Sequence, residues 1–138
     1  MNYSVLTLTS RPDCQALINI ANAEKDNLAY RKTGLQRQHQ SASVTSLGIQ
    51  TDLSTVIAEL AALQSVLDSI PAGPTADETT VRYKKAEYKK FLLEQRKGSF
   101  GPIALVEKEY DMACIDLAIA ETDAFILTVT ARMDELPV

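Results

Sequence analysis

The chain has 138 residues, of which 46% are hydrophobic and 23% are charged, and its net charge at pH 7 is −4. A chain of this length can bury roughly two-thirds of the surface that its unfolded form exposes, so it can form a core without a disulfide or a metal. The acidic balance argues against nucleic acid or an anionic membrane as the main partner, because both require a basic surface.

Targeting signals and cysteine usage also narrow the class of protein. No apolar run is long enough to span a bilayer, and the first residues lack the basic stretch that opens a secretory signal. Cys14 and Cys114 fit neither a disulfide framework nor a metal-ligand spacing, and we expect both to be small core residues. The sequence therefore predicts a cytoplasmic protein with no membrane contact and no cofactor.

The first segment, residues 1–10, predicts an extended N-terminal arm, because apolar and polar residues alternate there. Ser10 is placed to cap a long first helix that begins at Arg11. Gly48 resembles a C-terminal cap, so we expect this helix to end at Leu47. A break at Gly34 is the alternative. Small or apolar residues recur at heptad spacing along it: Cys14, Ala21, Leu28, Leu35 and Ala42.

Three further helices are predicted. The second carries a strict 3-4 apolar spacing from Leu53 to Ile70 and ends at the Pro71–Pro74 turn. Thr75 with Glu78 resembles a capping box for the third, which ends at Gly98, and Pro102 suits the first position of the fourth. Residues expected to face inward from the third helix are Val81, Tyr88, Phe91 and Leu92. The expected seam of the fourth is Ile103, Val106, Tyr110, Ala113, Leu117, Ala120, Ala124, Leu127 and Ala131.

Short connections favour antiparallel neighbours, so residues 11–138 predict one all-α domain, an up-down-up-down four-helix bundle. The long first and last helices would each run roughly 50 Å, but the shorter second and third only roughly 30 Å. Antiparallel packing then sets Cys14 near the level of Met133 and Cys114 near the level of Thr33. The end of the long pair beyond the short helices lacks a covering partner.

That uncovered end is apolar on several faces, which predicts a homodimer in which two such ends meet. The alternatives are that the arm, Tyr3 to Leu8, covers this end and keeps the chain monomeric, or that the first helix breaks at Gly34 and folds back. The expected interface residues are Leu17, Ile18, Ile20, Phe125, Ile126, Val129 and Met133.

The sequence contains few motifs of the kinds that form catalytic or metal-binding sites. The single histidine, His39, lies in a polar stretch, so a di-iron site, which needs paired Glu-x-x-His motifs, is excluded. Neither a phosphate-binding loop nor a nucleophile elbow is present, and no metal site is expected. An enzyme or ligand-binding bundle with a site between protomers is the second hypothesis, and it would use Tyr110, Glu121 or Arg132.

A basic stretch on the third helix is the nearest feature to a binding motif. We expect it chiefly to be a structural face whose neighbour is the acidic fourth helix; the alternative is a face for an acidic protein partner, formed by Arg82, Lys85, Lys89 and Lys90. Nucleic-acid binding through the same residues is the least favoured reading. The sequence thus favours a non-enzymatic helical interaction protein, an adaptor, scaffold or assembly subunit that acts as a homodimer.

Overall fold

The computed structural model describes residues 2–138, which form a short 3₁₀ turn, Val5–Thr7, and three α-helices. Helix α1 comprises Arg11–Ser69, α2 comprises Pro74–Phe100 and α3 comprises Pro102–Glu135. These residues contain no β-strand. The protein is therefore all-α, but the predicted four-helix topology is not confirmed, because the first two predicted helices form one helix of 59 residues.

Helix α1 continues through both Gly34 and Gly48, so the predicted helix end at Leu47 is wrong. The reason is the heptad repeat, which keeps its phase across Gly48. A mid-helix glycine costs up to about 1 kcal/mol, whereas burying one large aliphatic side chain contributes about 1.5–3 kcal/mol. The buried or half-buried residues of this repeat are Cys14, Ala21, Leu28, Leu35, Ala42, Ile49, Val56 and Leu63.

The chain divides into two compact units, and α1 and α3 each contribute to both. The first unit comprises Met1–Gln38 and Lys108–Val138, and the second comprises His39–Glu107. No finding tests the prediction of one domain over residues 11–138, which stays a prediction.

In the first unit, α1 and α3 pair in antiparallel orientation. An Arg11 guanidinium N–H donates to the Met133 carbonyl (3.0 Å), and two lysine–aspartate ion pairs follow along the helices. Cys14 and Met133 lie in one apolar cluster, and Thr33 and Cys114 line one cavity. The predicted antiparallel register is therefore confirmed.

In the second unit, one apolar cluster joins α1 to α2. Its buried members are Ile49, Leu53, Val56, Leu63, Ala86 and Leu93. The predicted seam of the second helix is confirmed, since Leu53, Val56 and Leu63 are buried. For α2 the prediction is wrong: Val81, Tyr88, Phe91 and Leu92 are all exposed, and Thr79, Ala86 and Leu93 are buried instead.

The helix ends near α2 also differ from prediction. Gly73, at φ 156°, is the N-cap, so Thr75 does not cap the helix and lies inside its first turn. Helix α2 continues past Gly98 to Phe100, and Gly101 alone separates it from Pro102, the predicted first residue of α3. A Cβ on Gly101 would lie 2.3 Å from the Lys97 carbonyl oxygen, which explains why the close approach requires glycine.

Candidate interaction surfaces

The N-terminal arm lies on the apolar cluster that α1 and α3 form around Cys14, Ile18 and Val129. Val5 and Leu8 pack against that cluster. The arm is not fully extended, because Val5–Thr7 form a 3₁₀ turn. Docking of this kind is the alternative in which the arm covers the apolar end of the first and last helices.

Polar contacts and an aromatic contact hold residues 2–10 of the arm. The Tyr3 hydroxyl donates to Glu121 Oε1 at 2.5 Å, and the Tyr3 ring meets Phe125 edge-on with centroids 4.8 Å apart. The Arg132 guanidinium donates to the Leu8 carbonyl at 3.1 and 3.2 Å. The hydrogen bond to Glu121, followed by desolvation and the carboxylate charge, raises the pKa of Tyr3.

Most of the residues predicted to form a dimer interface take part in this intrachain cluster. Ile18 and Val129 are buried in it, and four more are half-buried against it: Leu17, Phe125, Ile126 and Met133. Ile20 differs, because it is 66% exposed. Of this set, Ile20 is therefore the residue that presents most of its side chain at the surface.

The predicted seam of the last helix is not the face that α3 buries. All nine seam positions from Ile103 to Ala131 are exposed, including Tyr110, Leu117 and Leu127. The buried or half-buried residues form a second stripe on the opposite side of the helix: Met112, Ile115, Ile119, Thr122, Ile126, Val129 and Met133. We call the exposed stripe, Tyr110 to Ala131, the α3 seam. It repeats with strict 3-4 spacing, which is the pattern of a coiled-coil contact.

Acidic residues flank the α3 seam on both sides. They occupy heptad positions e and g, next to the apolar positions a and d. In a coiled coil, residues at e and g contact the partner helix. Two of them, Asp116 and Asp123, already pair with lysines of α1. The flanking residues are Glu107, Glu109, Asp116, Glu121 and Asp123.

A second exposed apolar stripe lies on α2. It comprises Val81, Tyr88, Phe91 and Leu92, between 44% and 63% exposed, and the Tyr88 and Phe91 rings stack with centroids 6.5 Å apart. We call this stripe, together with the basic residues beside it, the α2 face. Within residues 2–138, Arg82, Lys85 and Lys89 form no ion pair, whereas the half-buried Lys90 lies 3.9 Å from Glu94. The basic face that the sequence predicted therefore adjoins an apolar surface.

The first unit also contains an open cavity of about 850 Å³ between α1 residues 28–38 and α3 residues 111–118. Its charged residues, Arg31, Arg37 and Asp111, are exposed. Cys114 lies at the rim and is exposed, contrary to the prediction of a core residue. Its hydrogen bond with Tyr110 is the main cause that raises the pKa of that phenol.

The polar residues suggested for an enzymatic site do not converge. Tyr110 contacts Cys114, Glu121 accepts from Tyr3, and Arg132 binds the Leu8 carbonyl. Among the described residues, no group of three or more acidic, histidine or cysteine side chains is arranged to hold a metal ion. Of the helices that these residues form, none has both the length and the apolar character to cross a membrane.

Comparison with known proteins does not assign the chain. It matches no protein-family model, no curated protein and no solved structure. The surfaces described above are therefore the basis for considering function.

Proposed function

We propose that this chain is a non-enzymatic helical interaction protein, an adaptor, scaffold or assembly subunit, that acts as a homodimer. The observation that supports the proposal is the α3 seam, a heptad repeat of apolar residues that are all exposed in the structure of residues 2–138. Apolar surface exposed to water costs free energy. Burial of a coiled-coil seam against another helix removes this cost.

The proposed dimer also retains the four-helix arrangement expected from the sequence. Each unit contains one pair of packed helices, α1 with α3 in the first and α1 with α2 in the second, and a second pair laid on the α3 seam would complete a bundle of four. In this proposal the four helices come from two copies rather than from one chain.

The position of the interface differs from that expected from the sequence. Packing within one chain already uses Ile18 and Val129, which are 9% and 0% exposed, whereas Leu117 on the α3 seam is 72% exposed. An exposed residue can contact a partner without disrupting the packing of its own chain. We therefore place the interface on the α3 seam.

Two matched variants test this proposal. Leu117→Asp puts a charge in the middle of the α3 seam, and Ile20→Asp puts the same charge at a similarly exposed position, 66%, in the same unit. We expect light scattering to give the mass of two copies for the unchanged protein and for Ile20→Asp, but the mass of one copy for Leu117→Asp.

Two other results have a defined meaning. A mass of one copy for the unchanged protein at all micromolar concentrations would refute the homodimer. Dissociation by Ile20→Asp but not by Leu117→Asp would keep the homodimer and return its interface to the residues that the sequence predicted. Circular dichroism of both variants checks that helical content is unchanged, as expected for substitutions at exposed positions.

A further inference from the structure

The α3 seam and the α2 face have opposite charge. Helix α3 carries eight acidic and two basic residues, a net charge of −6, and its acidic residues lie on both sides of the seam. Helix α2 carries four acidic and seven basic residues, a net charge of +3, and Lys85 and Lys89 lie beside its exposed apolar stripe.

Charge decides which helix can occupy the α3 seam. If two copies of α3 paired with each other, glutamates and aspartates would face glutamates and aspartates along the whole contact, and like-charge juxtaposition is strongly unfavourable. The α2 face instead combines apolar residues with lysines that form no ion pair within residues 2–138. It is thus complementary to the α3 seam in both hydrophobicity and charge.

The connection between α2 and α3 is shorter than those that usually join antiparallel helices. Gly101 alone separates the two helices, whereas such connections have about 2–8 residues in helix bundles. The α2 face in this contact is therefore taken from another copy.

We propose that the α3 seam of one copy binds the α2 face of a second copy. The proposal rests on the homodimer proposed above and names the surface that each partner contributes. Because each chain carries both surfaces, the contact is self-complementary, as a two-fold dimer requires. Tyr88, Phe91 and Leu92 lie against the small and aliphatic residues of the seam, and Lys85 and Lys89 lie beside its acidic flanks.

Paired charge reversals test this contact. One variant carries Lys85→Glu and Lys89→Glu on the α2 face, and the other carries Glu107→Lys and Glu109→Lys beside the seam. Each variant alone brings like charges together, so we expect its dimer dissociation constant to rise about tenfold or more. Mixed in equal amounts, the two variants restore complementary charge at both contacts. We therefore expect a heterodimer with one copy of each, detected by native mass spectrometry.

A control variant separates this effect from net charge. Arg31→Glu with Arg37→Glu makes the same change in net charge as the α2 variant, on exposed residues of α1 that line the cavity and belong to neither surface, and we expect it to remain dimeric. Circular dichroism checks that each variant keeps its helices.

The results distinguish this inference from the proposal on which it depends. If both reversal variants stay dimeric while Leu117→Asp dissociates, the homodimer stands but another surface occupies the seam. If the mixture of the two variants remains monomeric, the α2–α3 contact is refuted. If the unchanged protein is itself a monomer, both proposals fail.

Discussion

Lys25 Nζ lies 2.6 Å from Asp123 Oδ1, and this ion pair joins α1 to α3 in the first unit. One heptad along α1 and one heptad back along α3, Lys32 pairs with Asp116 at 2.5 Å. The two pairs repeat with the period of the buried stripe, so charge and apolar packing specify the same antiparallel register.

Reversing one of these charges should weaken the first unit modestly. Lys25→Glu brings a carboxylate beside Asp123, but both partners are nearly half-exposed, at 40% and 47%, so solvent screens the interaction. We expect the free energy of unfolding in urea to fall by up to about 1 kcal/mol. Lys25→Glu combined with Asp123→Lys should recover most of the loss, and a double variant no more stable than the single would contradict the pairing.

Two glycines should respond in opposite directions to alanine. Gly48 lies inside α1 with no atom within 4 Å of an added Cβ, so Gly48→Ala should raise the free energy of unfolding by about 0.5–1 kcal/mol. Gly101→Ala places a Cβ 2.3 Å from the Lys97 carbonyl oxygen and should lower it by about 1–3 kcal/mol. Chemical denaturation measures both. A destabilising Gly48→Ala would restore the helix end that the sequence suggested there.

Neighbouring aliphatic residues of α1 give a direct test of its continuity. Ile49 is 2% exposed in the core of the second unit, so Ile49→Ala should cost about 2–5 kcal/mol of stability. Leu47 is 65% exposed, and Leu47→Ala should change stability by less than about 0.5 kcal/mol. Equal costs at the two positions would show that α1 does not present this face to α2.

Docking of the arm should depend on pH at the alkaline end. The neutral Tyr3 phenol donates to the Glu121 carboxylate, and this contact raises the Tyr3 pKa above its ordinary value of 10.0. Because the folded-state pKa is the higher one, the contribution is fully present below pH 10.0 and is lost as pH rises through the raised pKa. Phenolate absorbance, taken as the difference between the unchanged protein and Tyr3→Phe, measures this titration.

The matched variant for this titration is Glu121→Gln, which keeps the shape of the side chain but removes its charge. We expect it to bring the Tyr3 pKa back towards 10.0. A Tyr3 titration that is the same in both proteins would mean that the hydroxyl does not contact Glu121 in solution.

Helix content and register could be read from the sequence because both depend on local patterns. Ser10 accepts a hydrogen bond from the Asp13 amide at 3.3 Å, as its capping position predicted, and Pro102 begins α3. The error at Gly48 was avoidable, since Ala42, Ile49 and Val56 continue one heptad phase across it. A cap-like glycine inside an unbroken repeat is a weak signal to end a helix, because tertiary burial outweighs the helix propensity of one residue.

The predicted dimer interface stays a prediction, but its residues show what local patterns leave open. The sequence correctly identified the apolar surplus of the first and last helices, but it could not tell which residues the N-terminal arm and the α1–α3 pair would use. Ile18 and Val129 belong to the intrachain cluster, while Leu117 lies on the exposed side of α3. Contacts between residues more than a hundred positions apart, such as Tyr3 with Phe125, make this difference.

The sequence by itself determined that the chain is helical, that its first and last segments pair in antiparallel register, and that its apolar residues exceed what one pair can bury. Only the tertiary structure decided which side of α2 and α3 faces α1. Each of these helices carries an apolar stripe on two opposite sides, so periodicity alone supports either choice. Burial of Ala86 on α2 and Ile115 on α3, together with the ion pairs of α1 with Asp116 and Asp123, marks the sides that face α1, and the opposite sides are exposed.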